Sequence, residues 1–279
     1  MTDRTLTVAV LGLGEAGGEI ARDLLAAGAH VRGYDPAVRP GPGIRACADE
    51  ADAAVGADLV LSVNSAHDAE DALRAGLPGL AADAVWADLN TGSPGLKRAL
   101  AERAGPRFAD VALMAPVPGK GLRTPMLASG PAAARAAELL RPLGASVTVL
   151  DGDAGEAAAR KLLRSVFFKG MAAAVTEALH AAREAGLEDW LRDNIAAELA
   201  GADASLARRL EEGSVKHAVR RAEEMRAASQ LLAELGVPSR ISDASRGWLE
   251  QLASSTGSST IVEGAIRSER GREKGDGTG

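Results

Sequence analysis

The sequence predicts an α/β protein in which a Rossmann-type, doubly wound sheet is followed by an all-helical C-terminal domain, the two joined by a long interdomain helix. Up to about residue 150, short Val- and Leu-rich runs alternate with Ala-rich stretches, which is typical of a mostly parallel sheet covered by helices. Beyond Asp151 we find no strand-like run. The first strand-like run ends in a glycine-rich loop that opens a helix, as the first turn of such a sheet requires.

The elements follow from these patterns in chain order. Strands are predicted over residues 6–11, 30–34, 59–63, 85–89, 107–113, 126–129 and 146–150. Helices are predicted over 16–27, 94–104 and 131–140, and then over 155–185, 189–199, 205–211, 215–235 and 242–252. We therefore expect a nucleotide-binding domain over 1–150, a helical domain for substrate binding and dimerisation over 151–267, and a disordered polar tail over 268–279.

Composition excludes several classes of protein. With 279 residues the chain can form two domains. Its net charge of −6 leaves no basic excess for nucleic-acid binding. Its only cysteine, Cys47, excludes an internal disulfide framework, and no His, Asp or Glu group has metal-ligand spacing. No apolar run approaches the roughly 18 residues of a membrane span, and the start of the chain lacks a signal-peptide pattern, so we expect a cytoplasmic protein.

The loop Gly12-Leu13-Gly14-Glu15-Ala16-Gly17 has the pattern of a dinucleotide-binding turn. In that pattern the first glycine makes the tight turn, the second lets a pyrophosphate approach and the third allows close packing of helix on strand. Asp35 ends the next predicted strand after Tyr34, where its carboxylate can accept hydrogen bonds from the adenosine ribose. We therefore expect NAD as the cofactor, with NADP as an alternative because Arg32 and Arg39 lie nearby. The predicted cofactor-binding residues are Gly12, Gly14, Glu15, Ala16, Gly17, Tyr34, Asp35, Val63, Asn64, Asn90 and Thr91.

A second pattern lies on the long predicted helix. At 100° per residue, Lys161, Ser165 and Lys169 fall on one stripe. A lysine can exchange a proton with an alcohol–ketone pair when burial lowers its pKa. The alternative is that these are ordinary solvated lysines of a surface helix.

With these motifs in place, the chain resembles the β-hydroxyacid dehydrogenases, which include 3-hydroxyisobutyrate and 6-phosphogluconate dehydrogenases. It is most similar to a branch with a phosphogluconate dehydrogenase-like C-terminal domain. The segments that carry the resemblance are the glycine loop, Tyr34-Asp35, the stretch from Asp88 to Pro94, Ala115-Pro116-Val117, and Gly155 with Lys161 and Ser165. The resemblance implies that Lys161 is the general acid/base and that Ser165 replaces a substrate-binding Asn. His217 and Glu224 occupy the spacing of the family's C-terminal Lys–Asp pair.

The segment after Val117 departs from that family. Where the family has a Ser-Gly-Gly stretch that binds the substrate carboxylate, this chain has Pro118, Gly119 and Lys120. Proline offers neither a backbone N–H nor a hydroxyl. Lys120 and Arg123 form either a different anion clamp or a solvent-exposed basic loop. The substrate-binding candidates are Ser165, Lys169, Pro118, Gly119, Lys120, Arg123 and His217.

These observations predict an NAD(P)-dependent oxidoreductase that transfers a hydride between the nicotinamide and a small, anionic hydroxy or oxo compound. Two alternatives stay open, an imine reductase that acts on a C=N bond and a non-catalytic NAD-binding protein. The long helix would extend roughly 45 Å at about 1.5 Å per residue, which is more than one small domain covers. We therefore expect a homodimer in which the helical domains pack together.

Overall fold

The computed structural model describes residues 5–255, which form one sheet of eight strands and ten α-helices. The sheet has the order β3-β2-β1-β4-β5-β6-β7-β8, and every pairing is parallel except that of β6 with β7. The strands are β1 (Thr7–Leu11), β2 (His30–Tyr34), β3 (Arg45–Ala46), β4 (Leu59–Ser62), β5 (Val85–Asp88), β6 (Phe108–Leu113), β7 (Met126–Ser129) and β8 (Val147–Val149).

The helices divide between two compact units, whose boundary lies between Val166 and Phe167. The first five helices belong to the sheet-containing unit: α1 (Glu15–Ala26), α2 (Glu50–Ala54), α3 (Ala69–Gly76), α4 (Pro94–Ala104) and α5 (Ala133–Leu140). Helix α6 (Glu156–Glu184) contains the boundary, and the second unit continues with α7 (Glu188–Ala200), α8 (Leu206–Lys216), α9 (Ala218–Glu234) and α10 (Arg240–Ser255).

Alternation along the strands builds a core on each face of the sheet. Successive strand side chains point to opposite faces, so Val8 and Val10 of β1 pack with α1 and α5 on one face. Ala9 and Leu11 pack on the other face, with Leu73 of α3 and Leu100 of α4 among their neighbours. Because both faces are covered, the central strands are apolar at almost every position.

The predicted fold class is confirmed, but three short elements and the position of one helix break differ from the sequence-based expectation. Strand β3 and helices α2 and α3 were not predicted, because an element of two to eight residues offers too few positions for a clear period. Residues 205–211 and 215–235 were expected as separate helices with a break between them, whereas α8 runs on to Lys216 and the break falls at His217. The predicted tail over 268–279 lies outside the described residues.

The helical unit has a small core of its own. Its buried cluster consists of Ala181, Leu232 and Val237. Helices α7 and α8 contain no buried residue. Within this unit, Glu177 of α6 caps α10: its carboxylate accepts hydrogen bonds from the backbone N–H groups of Ile241 and Ser242, both at 2.8 Å. These two bonds satisfy donors that the first turn of a helix otherwise leaves unpaired.

Candidate active site

The glycine loop has the geometry that a dinucleotide-binding turn needs. Gly12 has φ +89°, and a Cβ atom there would lie 2.7 Å from the carbonyl oxygen of Val63. A Cβ on Gly17 would overlap the carbonyl oxygen of Gly12. Both positions therefore exclude larger residues, Gly12 for the turn and Gly17 for the close contact of helix α1 with that turn.

Gly14 differs from these two glycines because a Cβ there would meet nothing within 4 Å. It precedes α1, where no side chain caps the helix, and the first helical hydrogen bond runs from Gly18 N–H to the carbonyl oxygen of Gly14. The N–H groups of Glu15, Ala16 and Gly17 therefore lie ahead of the helix ladder, at its positive end. This open space at a helix N-terminus fits the pyrophosphate of a dinucleotide.

Asp35 joins this loop to the end of β2. One carboxylate oxygen accepts a hydrogen bond from the backbone N–H of Leu13 at 2.7 Å, and the other accepts from Ala37 and Val38 at 2.8 and 2.9 Å. Burial acts to raise the pKa of Asp35, but these three bonds outweigh it and hold the pKa below its usual value. The ionised carboxylate has about four acceptor positions, so one stays available for a ribose hydroxyl.

The surroundings of Asp35 are acidic. Burial, together with the charges of Glu50, Asp49 and Asp35, raises the pKa of Tyr34 at the end of β2. Arg32, which we expected to be able to accommodate a 2′-phosphate, is buried and already engaged: it donates to the carbonyl oxygen of Ala53 at 3.0 Å and pairs with Asp52 at 2.8 Å. That expectation is wrong for Arg32, whereas Arg39 is exposed.

A row of polar side chains crosses four strands of the sheet. The strand register places Ser62, Asp88, Asp110 and Ser129 side by side on β4, β5, β6 and β7, and all four are fully buried. Lys97 of α4 lies against this row and is also buried. Its ammonium group contacts the Asp88 carboxylate at 2.5 Å and the Asp110 carboxylate at 3.2 Å. We call these three residues the buried ion cluster.

Asp110 also determines where α6 begins. Its second carboxylate oxygen accepts hydrogen bonds from the backbone N–H groups of Gly155 and Ala158, both at 3.0 Å. The hydroxyl of Ser129 accepts from Ala157 N–H at the same distance. The first turn of α6 is thus capped by two residues of the polar row, which fixes the helix relative to the sheet edge.

On the other side of the cluster, Asn90 connects Asp88 to the predicted cofactor-binding segment. Its amide donates to the second carboxylate oxygen of Asp88 at 2.8 Å, to Asn64 at 2.7 Å and to the hydroxyl of Ser62 at 3.1 Å. Thr91 is exposed immediately after it. The structure therefore brings Asn64, Asn90 and Thr91 together beyond the ends of β4 and β5, on the segments where a doubly wound sheet holds its ligand.

Lys161 lies on α6 one turn beyond the capped residues Ala157 and Ala158, and so on the same face of the helix. Its side chain is half-buried, and in the described part of the chain its amine forms no ion pair or hydrogen bond. Burial, and then the charge of Lys97, lowers the pKa of Lys161 below its usual value, while Asp110 opposes that shift. Ser165 donates its hydroxyl proton to the Lys161 carbonyl oxygen at 2.9 Å, which leaves the hydroxyl oxygen able to accept.

The basic loop after β6 is held at two points and exposed between them. Leu122 is buried, and its backbone N–H donates to the carboxylate of Asp23 on α1 at 2.8 Å. Val117 is buried at the other end of the loop. The expected substrate-binding residues Pro118, Gly119, Lys120 and Arg123 are all exposed. Both readings of this loop, as an anion clamp and as a solvated basic loop, agree with that exposure.

The two remaining candidates belong to the helical unit. Lys169 is exposed on α6, two turns beyond Lys161. His217 is exposed between α8 and α9, in an open depression of about 550 Å³ that Lys216 and Arg220 also line. Glu224, which with His217 occupies the spacing of the family's Lys–Asp pair, forms an ion pair with Arg220.

Sequence reasoning missed most of the polar row. Asp88 was noticed only as part of a motif, and Lys97, Asp110 and Ser129 were not singled out. A signal was present for Lys97, because it shares the buried stripe of α4 with Leu100 and Ala104, where an apolar residue is the rule. A cation on such a stripe indicates buried carboxylates opposite.

Comparison with known families agrees with this geometry. Residues 7–151 match the family described as the NAD binding domain of 6-phosphogluconate dehydrogenase. The match covers more than half of the chain, so the protein belongs to this family and carries an NAD-binding domain. Residues 182–252 match a domain of unknown function, DUF1932. No protein of curated function matches significantly.

Solved structures share the architecture over nearly the whole chain. One is a conserved protein of unknown function, MTH1747, described as structurally similar to 3-hydroxyacid dehydrogenases, with 26% identity over 90% of this chain and 98% of that one and a TM-score of 0.57. A reductive aminase from Aspergillus terreus in complex with NADPH and ethyl-5-oxohexanoate has 23% identity over 89% and 93% of the two chains, with a TM-score of 0.74. An imine reductase variant from Myxococcus stipitatus in complex with NAD+ has 20% identity over 90% and 95%, with a TM-score of 0.71. The last two likenesses show the fold alone.

Among residues 5–255, no helix combines the length and hydropathy that a membrane-spanning segment needs.

Proposed function

We propose that the protein is an NAD-dependent oxidoreductase that interconverts a small hydroxy acid and its oxo form, with Lys161 as the general acid/base. The observation that carries the proposal is the position of Lys161: a half-buried, unpaired amine on the first turns of the helix that Asp110 caps. The family match supplies the redox partner, since a bound NAD accepts or donates the hydride.

In this proposal, Lys161 transfers the proton and Ser165 offers a hydrogen-bond acceptor. Lys161 in its neutral form takes the proton from the substrate hydroxyl in the oxidative direction, and its ammonium form returns the proton in reduction. The lowered pKa of Lys161 makes both forms accessible nearer to neutral pH. The hydroxyl oxygen of Ser165 offers an acceptor one turn further along the same helix.

We further propose that the substrate is anionic and that Lys120 and Arg123 bind its charged group. Both side chains are exposed on the loop after β6, and neither forms an ion pair within the described residues. The buried anchors Val117 and Leu122 hold the loop that presents them. Lys169 and His217 are binding candidates because both are exposed polar side chains.

NAD is proposed over NADP because Asp35, Asp49 and Glu50 place carboxylates around the end of β2. They would repel a 2′-phosphate, and buried Arg32 is not free to receive one. Comparing the dissociation constants of NADH and NADPH for the unmodified protein tests this preference, and equal affinities would contradict it.

The general acid/base assignment is tested by Lys161→Ala, assayed with NAD+ against a panel of small 3-hydroxy acids. We expect kcat to fall by about 10²- to 10⁴-fold, the range for a lost general acid/base, with NADH affinity unchanged. Arg160→Ala is the matched control, because Arg160 is an exposed cation on the same turn that pairs with Glu156. Turnover of Lys161→Ala close to that of Arg160→Ala would exclude Lys161 from the chemistry.

A second candidate function is reduction of a C=N bond, because an unpaired amine with a lowered pKa can protonate a nitrogen as readily as an oxygen. The structural likeness to imine reductases makes this reaction the natural comparison. Cyclic imines with NADH or NADPH, run beside the hydroxy-acid panel, separate the two reactions. Cofactor binding without turnover in either panel would instead support the non-catalytic alternative.

A homodimer is proposed from the exposed apolar surface of the helices. Leu163 and Val166 on α6 are 71% and 75% exposed, and Phe167 and Phe168 follow them with 53% and 42%. Trp190 on α7 is 63% exposed, although α7 buries no residue at all. Helices of 13 residues are marginal without packing of an apolar face, so α7 needs a partner surface, for which we propose a second copy of this chain.

A further inference from the structure

The buried ion cluster is costly to form, so the presence of these three charges in the core calls for an explanation. Lys97, Asp88 and Asp110 have at most 1% of their side chains exposed. Removing three charges from water costs several kcal/mol per ion, and a buried ion pair often stabilises no more than apolar residues of the same volume. Stability alone therefore does not account for a lysine on the apolar stripe of α4.

The contacts of the cluster instead show which lysine forms ion pairs with the two carboxylates. Asp110 uses one oxygen to cap α6 through Gly155 and Ala158, and turns the other towards Lys97. Asp88 receives the Lys97 ammonium on one oxygen and the Asn90 amide on the other. Lys161 faces the same group of charges from α6, one turn beyond the capped residues, but pairs with neither carboxylate within the described residues.

We propose that Lys97 is a positioning residue that occupies the Asp88 and Asp110 carboxylates and so keeps the neighbouring Lys161 amine unpaired and able to exchange a proton. The identification of Lys161 as the proton-exchanging group rests on the proposed function. The pairing of Lys97 with both carboxylates and the cap that Asp110 provides one turn before Lys161 do not depend on it, because they are contacts of the folded chain.

The charges that face Lys161 give the expected signs. The Lys97 cation on α4 disfavours a second cation and lowers the pKa of Lys161, whereas Asp110 on β6 raises it. Asp88 on β5 pairs with Lys97 and balances part of its charge. On α6 itself, the nearest charged neighbour in sequence, Arg160, is paired with Glu156. Removing Lys97 should therefore let Lys161 pair with Asp110 and hold its proton more strongly.

The test measures the pKa of Lys161 directly, without substrate. The chain has six lysines, so ¹³C-dimethylated lysine signals can be assigned by single Lys→Arg variants and titrated by NMR. In Lys97→Met we expect the pKa of Lys161 to rise by about one unit or more, the size of effect that a charged neighbour exerts. Lys97→Arg preserves the positive charge and should leave the pKa near its original value. Asp110→Asn removes a carboxylate and should lower the pKa.

The opposite signs distinguish positioning from general loosening of the structure. If the variants merely opened the site to water, the Lys161 pKa would rise towards its usual value in both Lys97→Met and Asp110→Asn. That common rise, or an unchanged pKa in Lys97→Met, would overturn the proposal. If Lys97→Met does not fold, the double variant Lys97→Met/Asp88→Asn preserves the net charge of the cluster, and we expect a smaller rise there, because the carboxylate that balances part of the Lys97 charge is removed as well.

Turnover measurements then test the proposed function separately from the role of Lys97. A shift of the Lys161 pKa in the predicted directions, with no activity on any substrate, would support the inference and refute the proposed function. With activity, the pH–rate profile of Lys97→Met should move to higher pH by the same amount as the pKa of Lys161.

Discussion

Two glycines of the same loop should respond in opposite ways to the same substitution. Gly14 and Gly17 are three residues apart, but a Cβ on Gly14 meets nothing within 4 Å, whereas a Cβ on Gly17 overlaps the Gly12 carbonyl. Gly14 has φ −61°, which alanine adopts without strain. Gly14→Ala should therefore affect the ligand, and Gly17→Ala should affect the fold.

The magnitudes follow from these contacts. Gly14→Ala adds a methyl group where the pyrophosphate is expected, so we predict at least about tenfold weaker NAD binding, or about 1.4 kcal/mol, with a stability cost of about 1 kcal/mol or less. Gly17→Ala forces α1 away from the turn, which costs about 1–3 kcal/mol as overpacking. For a unit of this size, 3 kcal/mol corresponds to a Tm lower by roughly 6–12 °C.

The assay combines calorimetric NAD titration with thermal unfolding followed by tryptophan fluorescence. Trp86 is fully buried in the sheet unit, while Trp190 and Trp248 are 63% and 60% exposed, so Trp86 dominates the change on unfolding. The reasoning is refuted if Gly14→Ala binds NAD with the original affinity, or if Gly17→Ala unfolds at the original temperature.

Two further predictions concern the helices. Glu177→Gln should lower the free energy of unfolding at pH 7 by about 1 kcal/mol, because charge-assisted bonds to the start of α10 are lost. Burial acts to raise the pKa of Glu177, but the bonds from Ile241 and Ser242 outweigh it and lower the pKa. The difference in the free energy of unfolding between the parent protein and Glu177→Gln should therefore be complete above pH 4.5, the pKa of Glu177 in the unfolded chain, and fade as the pH falls through the folded pKa. Urea unfolding at a series of pH values measures it. In light scattering the protein should have twice the chain mass of 28.4 kDa, and Val166→Glu should return it towards the monomer; a monomeric parent protein at micromolar concentration would contradict the dimer.

Local patterns were sufficient to predict the sheet and the glycine loop. Buried parallel strands are continuous apolar runs, and the turn at Gly12 depends on residues adjacent in sequence. The direction of β7 could not be predicted in this way, because the residues of a strand do not encode whether its neighbour is parallel. Strand β7 pairs antiparallel with β6 since the chain returns through the short loop that Val117 and Leu122 anchor.

The buried ion cluster shows why a site is harder to predict than a fold. Lys97 is nine residues from Asp88 and thirteen from Asp110; its place on an apolar stripe indicates buried carboxylates, but nothing in those segments alone identifies Asp88 and Asp110 as its partners. They meet because the register aligns Asp88 with Asp110 and because the apolar stripe of α4 faces that row. Lys161, by contrast, is proposed through a resemblance that does not depend on knowing what surrounds it.

The ion pairs of Lys97 offer a reason why the amine of Lys161 is unpaired. A lone half-buried lysine beside two carboxylates would be a permanent ion pair, and its proton would be held too tightly for exchange near neutral pH. Lys97, a second cation on a different helix and sealed from water, forms ion pairs with both carboxylates. Asp110 caps α6 with one carboxylate oxygen and faces Lys97 with the other, and under our proposal it is Lys97 that keeps this carboxylate from pairing with Lys161. If Lys161 exchanges protons as we propose, the start of helix α6 and the chemistry one turn later are linked through a single buried acid.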